Sequence, residues 1–374
     1  MKNDPSLRIL HLIHTPRHSG AESLARDICL LHSDRGITSA IASFTPTTPE
    51  FVSEIDRLQK KGVSLYLPAT AQKKLGRVKH FHQAYRAFRP QVVFAHSVLP
   101  SFYGRLVLPF MGSRKPRFVT VLHSASNDDY AGGYLRAQEY LTRRLVDRIV
   151  AVSEEGATNY VRRFGNPRHV SVLKNGINLS RFQNIDRAKV RAQLGLDENT
   201  KMILQVGRLS SVKQQDLSIR SLADTLRGGR VELWLAGLTE QPAYEQELQA
   251  LIESLGLGAK VRLLGSRTDV PELLSAADVY VMPSRAEAQS IALLEALASG
   301  APAVISDIPS FLFCRQIQGV RIVGVEDGAA FSVAVNELLS AGRFNRDLSE
   351  YAIERVAERY SDFAAALLES KEST

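Results

Sequence analysis

The sequence predicts an α/β protein built from two doubly wound domains, each a parallel sheet covered by helices. Three observations carry that prediction. Short, nearly continuous apolar runs alternate with helical patterns from end to end, and strands apolar on both sides belong to parallel sheets buried on both faces. The length of 374 residues exceeds the ~100–200 residues of a single domain. The charge also changes sign along the chain: residues 1–183 carry 27 Lys and Arg against 13 Asp and Glu, whereas residues 184–374 carry 20 against 26.

In chain order, strands are expected near Arg8–His14, Thr38–Phe44, Val63–Leu67, Val92–His96, Phe118–His123, Arg148–Val152 and Val170–Leu173. The second half repeats the scheme near Met202–Val206, Val231–Ala236, Val261–Leu264, Val279–Met282, Ala303–Ser306 and Val320–Val323. Between Asn178 and Asn199 the apolar runs stop and polar residues take over. That seam divides a first domain, residues 1–180, from a second, residues 181–347. Residues 348–374 hold a helical pattern (Leu348, Tyr351, Ala352, Val356, Tyr360, Phe363) with no strand after it, so this helix is expected to pack back across the domain junction.

Composition narrows the function classes. With 44% hydrophobic and 23% charged residues, the chain is an ordinary folded protein rather than a disordered or disulfide-stapled one. No run reaches the ~18 apolar residues of a membrane span. The opening MKNDPSLRILHLIHT reads as a tail and a buried strand rather than a cleavable leader, so a cytoplasmic protein with at most peripheral membrane contact is expected. Cys29 and Cys314 stand far apart without metal-ligand company, so two buried thiols are expected and no metal. The basic first half suits an anionic surface, either a membrane leaflet or a lipid diphosphate. Basic residues interleaved with stacking aromatics are missing, so nucleic acid is not an expected partner.

Ligands of parallel sheets bind beyond the carboxyl ends of the strands, and the informative residues stand just after the strands. Gly20, in the loop His14-Thr15-Pro16-Arg17-His18-Ser19-Gly20-Ala21-Glu22, lets a ligand approach backbone at a helix start. No G-x-G-x-x-G accompanies it, so a nicotinamide dinucleotide is not supported. After Val206 come Gly207 and Arg208, with Lys213 five residues on; the two cations either converge on one phosphate or lie solvated at a helix start. After Met282 comes PSRAEAQSIALLEALASGAP. Ser290 is expected to cap a helix, and the N–H groups of Ser290, Ile291 and Ala292 to form an anion site. Two carboxylates, Glu287 and Glu295, stand beside that site. They must address hydroxyls rather than phosphate, which points to a nucleotide sugar.

The spacing Glu287-x7-Glu295, the preceding GR-x4-K, the segment Leu173–Phe182, the VSEE at Val152–Glu155 and the SGAE loop together resemble the retaining glycosyltransferases of family 4 (glycosyl transferases group 1), from about Leu7 to about Leu368. The resemblance implies the GT-B fold, two Rossmann-like domains facing each other across a cleft, with an N-terminal acceptor-binding domain and a C-terminal domain for the nucleotide sugar. It also implies that Arg208 and Lys213 steady the leaving diphosphate, Glu295 holds the ribose, and Glu287 contacts the donor sugar. His123 would lie beside donor sugar and acceptor, and Gly265, Arg267 and Asp269 would form the loop that meets the nucleobase through its backbone. The sequence departs from the family where Ala288-Gln289-Ser290 replaces the usual Gly-Phe-Gly, where Ser19 replaces a commoner glycine, and where Asn178 replaces an aspartate.

As an activity, the resemblance implies hexose transfer from a UDP- or GDP-linked donor to a lipid-linked or polysaccharide acceptor, at the inner face of the cytoplasmic membrane. Two cations and a helix N-terminus can neutralise a leaving diphosphate, so neither a cofactor nor a divalent metal is expected. Asp128-Asp129 reads as a solvated turn rather than a metal pair. A nucleotide-sugar 2-epimerase and a non-catalytic scaffold of the same fold are the alternatives. Candidate membrane contacts are Lys60, Lys61, Lys73, Lys74, Arg77, Lys79, Arg86 and Arg89, with Leu75, Phe81, Tyr85 and Phe88 as apolar companions.

Overall fold

The computed structural model describes residues 7–370 except 113–114, 126–129, 131, 166–169 and 240; Asp128-Asp129 lies outside the described residues. The chain divides into two units, Met1–Gly176 with Tyr351–Thr374, and Ile177–Glu350.

In the first unit strand and helix alternate: β1 (Arg8–Leu12), α1 (Gly20–Asp34), β2 (Thr38–Ala42), α2 (Val52–Lys60), β3 (Ser64–Tyr66), α3 (Lys74–Phe88), β4 (Val92–His96), α4 (Val98–Val107), β5 (Arg117–Leu122), α5 (Gly133–Thr142), β6 (Arg148–Ala151), α6 (Glu154–Phe164) and β7 (Val170–Val172). The strands form one parallel sheet in the order β3-β2-β1-β4-β5-β6-β7. Winding reverses between β1 and β4, which opens a switch point at their carboxyl ends. One face of the sheet packs Leu10, Leu12, Val93 and Ala95 against Phe81, Ala84, Tyr85 and Phe88 of α3.

The second unit repeats the plan with α7 (Arg187–Gln193), β8 (Lys201–Val206), α8 (Gln215–Ser221), α9 (Ala223–Gly228), β9 (Val231–Ala236), α10 (Pro242–Ser254), β10 (Val261–Leu263), α11 (Val270–Ala276), β11 (Val279–Met282), α12 (Ile291–Ala298), β12 (Ala303–Ser306), β13 (Val320–Val323) and α13 (Gly328–Leu338). Its parallel order is β10-β9-β8-β11-β12-β13, with the switch between β8 and β11. Ile203, Leu233, Leu235, Val281 and Val304 fill its core with Leu248 of α10 and Phe331 of α13. Among the described residues, then, the predicted strands are all present in two doubly wound sheets, of seven and six strands.

After the second unit the chain returns to the first. Helix α14 (Ile353–Glu369) lies on α1, where His32 Nε2 donates to the Ala357 carbonyl at 3.1 Å and Arg35 pairs with Glu358 at 2.7 Å. Gly176 permits the approach: a Cβ there would stand 2.7 Å from Val356 Cγ2 and 3.1 Å from the Tyr351 carbonyl oxygen, inside van der Waals contact. Because acidic α14 joins the basic unit, the first unit carries 29 Lys and Arg against 18 Asp and Glu, and the second 18 against 21. The asymmetry is therefore softer than the division at residue 183 suggests. Cys29 and Cys314 are free and buried, and burial pushes both thiols up. No helix among the described residues is long and apolar enough to cross a membrane.

A buried ion pair ties the outer helices of the first unit to its sheet. Arg105 on α4 pairs with Glu139 on α5 at 2.6 Å and donates to Thr120 on β5 at 2.8 Å, while Tyr130 and Tyr160 donate to the same carboxylate. A charge left alone here costs more than the pair contributes. Glu139→Leu should therefore lower the stability of the full chain by ~3–5 kcal/mol in urea unfolding, and Arg105→Met with Glu139→Leu by much less. Equal losses for the single and double variants contradict this account.

Candidate active site

In the second unit the loops at the switch point are laced together by backbone. Gly207 N–H bonds the Ala236 carbonyl at 2.9 Å, Leu209 N–H that of Leu238 at 3.0 Å, and Gly237 N–H that of Gly265 at 2.8 Å. A Cβ on Gly237 would fall 1.8 Å from the Gly207 carbonyl oxygen, so only glycine lets the loops after β8 and β9 touch. Two glutamines clasp the Arg208–Lys213 turn from beneath. Gln215 Nε2 donates to the Arg208 carbonyl at 2.9 Å and Gln205 Nε2 to that of Lys213 at 2.7 Å, with Gln205 itself held by the Ser218 hydroxyl.

Pairing of β8 with β11 brings the second loop alongside. Arg285 stitches the two: its N–H donates to the Val212 carbonyl at 2.8 Å, and its guanidinium to the Ser211 carbonyl at 2.9 Å and to Glu326 at 2.8 Å. Lys213 Nζ then reaches Glu287 Oε1, which also accepts from the Ser284 hydroxyl at 2.9 Å; the Ser310 hydroxyl holds the Glu287 carbonyl. The ammonium and carboxylate are mostly buried, with side chains 16% and 10% exposed. Thus Lys213 and Glu287, expected to address different parts of a ligand, meet each other directly.

Ser290 caps α12 by accepting from Leu293 N–H at 3.3 Å. Ile291 and Ala292 supply first-turn N–H groups, which have no acceptor within the helix. Glu295 lies one turn on. Burial pushes the Tyr280 hydroxyl far up, and the charges of Glu287 and Glu295 push it further. Arg208 is exposed at the mouth of its turn. Arg267 and Asp269 bond each other at 2.8 and 2.5 Å, which raises the arginine and lowers the aspartate.

In the first unit Gly20 opens α1, where the Ser19 hydroxyl bonds Glu22. His123 stands just after β5 and ends a line of imidazoles: its Nε2 lies 3.0 Å from His96 Nδ1, and His96 Nε2 lies 2.9 Å from His11 Nδ1. Burial lowers all three, with His11 at about 3 and His123 at about 4. Among the described residues no three His, Cys, Asp or Glu side chains could hold a metal ion.

Sequence reasoning alone did not find His11, His96, Gln205, Tyr280, Ser284, Arg285 or Ser310. His96 carried a signal, since VVFAH and FVTVLH both end a strand in histidine. Ser310 carried none, because it arrives from the short 3-10 helix Pro309–Gln316 that follows β12.

Two family models match the chain: "Glycosyltransferase Family 4" over residues 18–181 and "Glycosyl transferases group 1" over residues 186–355. Among curated relatives, an uncharacterized glycosyltransferase of Methanocaldococcus jannaschii is 29% identical over 65% of this chain and 65% of its own length. A D-inositol 3-phosphate glycosyltransferase of Geodermatophilus obscurus is 31% identical over 57% of this chain and 51% of its own. The chain thus spans about half to two thirds of the length of these two relatives. Among solved structures, Anabaena HepE in complex with UDP-glucose superposes with a TM-score of 0.78 at 22% identity, covering 98% of this chain and all of that one. WaaG, involved in lipopolysaccharide biosynthesis, gives 0.69 at 17%, covering 95% of each. These likenesses show the fold to be GT-B.

The neutral histidines set a pH dependence. His11 and His32 are held at about 3 and about 4, below the 6.5 of an unfolded chain, so the unfolded state binds more protons. Stability is then complete above about pH 6.5 and is lost as pH falls toward those lower values. Between pH 7 and 5 the full chain should lose at least about 1.4 kcal/mol per pH unit, the slope of one net proton. A flat profile in chemical denaturation contradicts the buried neutral state.

Proposed function

The chain belongs to the family 4, group 1 glycosyltransferases, and on that basis we propose that it moves a hexose from a UDP- or GDP-linked donor to a hydroxyl of a lipid-linked or polysaccharide acceptor, with retention of configuration. The observation that carries this reading is the convergence of Arg208, Lys213, Glu287, Glu295 and the α12 N-terminus on the carboxyl ends of adjacent β8 and β11. HepE, holding UDP-glucose on the same fold, supports a nucleotide-sugar donor.

Each group has a task in this reading. The β-phosphate of the donor lies against the α12 N-terminus, and Arg208 and Lys213 take up the charge that grows as the anomeric bond breaks, so no divalent ion is needed for it. Glu295 accepts from ribose hydroxyls and Glu287 from sugar hydroxyls. The acceptor hydroxyl attacks the face that the phosphate leaves, and a phosphate oxygen takes its proton. His123 lies on the substrate side of the first unit. Because Glu287 neutralises Lys213 when no donor is bound, phosphate and sugar binding exchange partners together: the phosphate draws Lys213 away and sugar hydroxyls replace it on the carboxylate.

Arg208→Ala and Lys213→Ala should each cut turnover by ~100-fold or more, as loss of a preorganised charge contact does, using the nucleotide sugar that most raises the melting temperature. Glu295→Ala should weaken binding of the free nucleoside diphosphate. Glu287→Gln should not weaken it, since Lys213 is released, yet should lower turnover. Wild-type rates in both cation variants, or equal calorimetric losses in both glutamate variants, overturn the assignment. A product with the sugar transferred rather than epimerised separates this reading from a 2-epimerase.

We further propose peripheral binding to an anionic leaflet, at the inner face of the cytoplasmic membrane. The fold corrects the expected contact face. Phe81, Tyr85 and Phe88 are core; Lys60 and Lys61 pair with Asp56 and Asp34; Arg77 stacks on Tyr103 at 4.9 Å. Outward and without an ion pair among the described residues are Lys73, Lys74, Lys79, Arg86 and Arg89, with Leu75 at 84% exposure and Phe110 at 77%. Each such cation contributes ~1 kcal/mol near an anionic surface. Vesicle co-sedimentation should require anionic lipid, fall with salt, and weaken in Leu75→Ser/Phe110→Ser and when the three lysines become glutamine. Equal binding to neutral vesicles removes the proposal.

A further inference from the structure

His123, His96 and His11 come from three neighbouring strands, β5, β4 and β1, whose order sets the imidazoles edge to edge. Their centroids are 5.2 Å apart in both steps, with the ring planes inclined by 26° and 23°. Only His123 is partly open to solvent; His96 and His11 are buried. Beyond His11 stand His32 on α1, its ring 6.4 Å away, and Tyr360 on α14, also at 6.4 Å. Among the described residues none of the three makes an ion pair; the imidazoles act on one another, His32 acts on His11, and Arg35 acts on His32.

A neutral imidazole has one N–H and one lone pair, so both bonds in the line must run in the same direction. One direction puts the protons on the Nε2 atoms and leaves His11 Nε2 as a buried donor; the other puts them on Nδ1 and leaves that atom a lone pair. Among the described residues His11 Nε2 has no hydrogen-bond partner. Buried N–H groups without an acceptor are rarer than acceptors without a donor, and the Tyr360 hydroxyl, also without a partner among the described residues, is chemically suited to donate to a lone pair. His32 cannot supply a proton there, since its Nε2–H already goes to the Ala357 carbonyl. The second direction is selected.

We propose that His96 and His11 are positioning residues that lock His123 as the neutral Nδ1–H tautomer, so that it presents a hydrogen-bond donor to an oxygen of the bound ligand. His96 Nδ1–H donates to His123 Nε2, and His11 Nδ1–H donates to His96 Nε2. No proton crosses the line; it sets which nitrogen of His123 carries one. The use of that donor by a substrate rests on the proposed place of His123 on the substrate side, whereas the tautomer does not.

Long-range 1H–15N spectra of the full chain labelled at histidine test it, with His123 identified by its loss in His123→Gln. At pH 7 His123 should show the Nδ1–H pattern, and it should remain uncharged down to pH 5. His96→Asn, whose amide can replace Nδ1–H, should keep that pattern. His96→Phe should fill the same space but lose the donor, so that His123 mixes tautomers and its titration rises by at least one pH unit. A wild-type His123 that is Nε2–H or charged at pH 7 overturns the proposal, as does an Asn variant that matches the Phe variant at equal melting temperature. Should the tautomer be as stated while the nucleotide sugar that most stabilises the fold leaves the His123 resonances unmoved, the locking stands and the substrate-side reading of His123 fails.

Discussion

A parallel sheet covered on both faces has polar backbone to offer at its edges and at its strand ends, and the helix crossovers cover the rest. That constraint governs this protein twice. In each unit the winding reverses beside the first strand, between β1 and β4 and between β8 and β11. The residues with chemistry to offer stand at the carboxyl ends flanking those reversals. Gly237 shows how tight the arrangement is, because the loop after β9 can lie on the loop after β8 only without a side chain.

The pair of Lys213 and Glu287 arises from the same constraint. Two adjacent strand ends deliver a cation and a carboxylate to one mostly desolvated place, where either alone would be costly. Together they are tolerable, and Ser284, Arg285 and the glutamines below hold their loops. In the proposed reading, phosphate and sugar hydroxyls would take the place of this pairing, which suits a ligand that is anionic at one end and hydroxylated at the other.

Buried polar groups in the first unit divide into two kinds. Arg105 and Glu139 form a charged cluster with four hydroxyl groups around them, and its effect is to bind helices to the sheet. The imidazoles of His11, His96 and His123 are uncharged, and their line leads from beneath α14 to the strand ends. Return of α14 to α1 covers the inner end of that line, which is one physical reason for the C-terminal segment to leave the second unit.

The strands were legible in the amino-acid order, because short continuous apolar runs leave no other way to be buried on both faces; Val92–His96 and Val279–Met282 are read directly. The cap at Ser290 and the residues flanking it were legible too, since capping is local chemistry. Which strand ends are neighbours was not, and on that depends the meeting of Lys213 with Glu287 across 74 residues of chain and the place of His96 between His11 and His123. The fate of Phe81, Tyr85 and Phe88 likewise waited on packing. Their positions on α3 permit either a membrane or a core, and the sheet beneath them settles it. Periodicity records that a side chain is buried; what it is buried against depends on strand order, which no local pattern encodes.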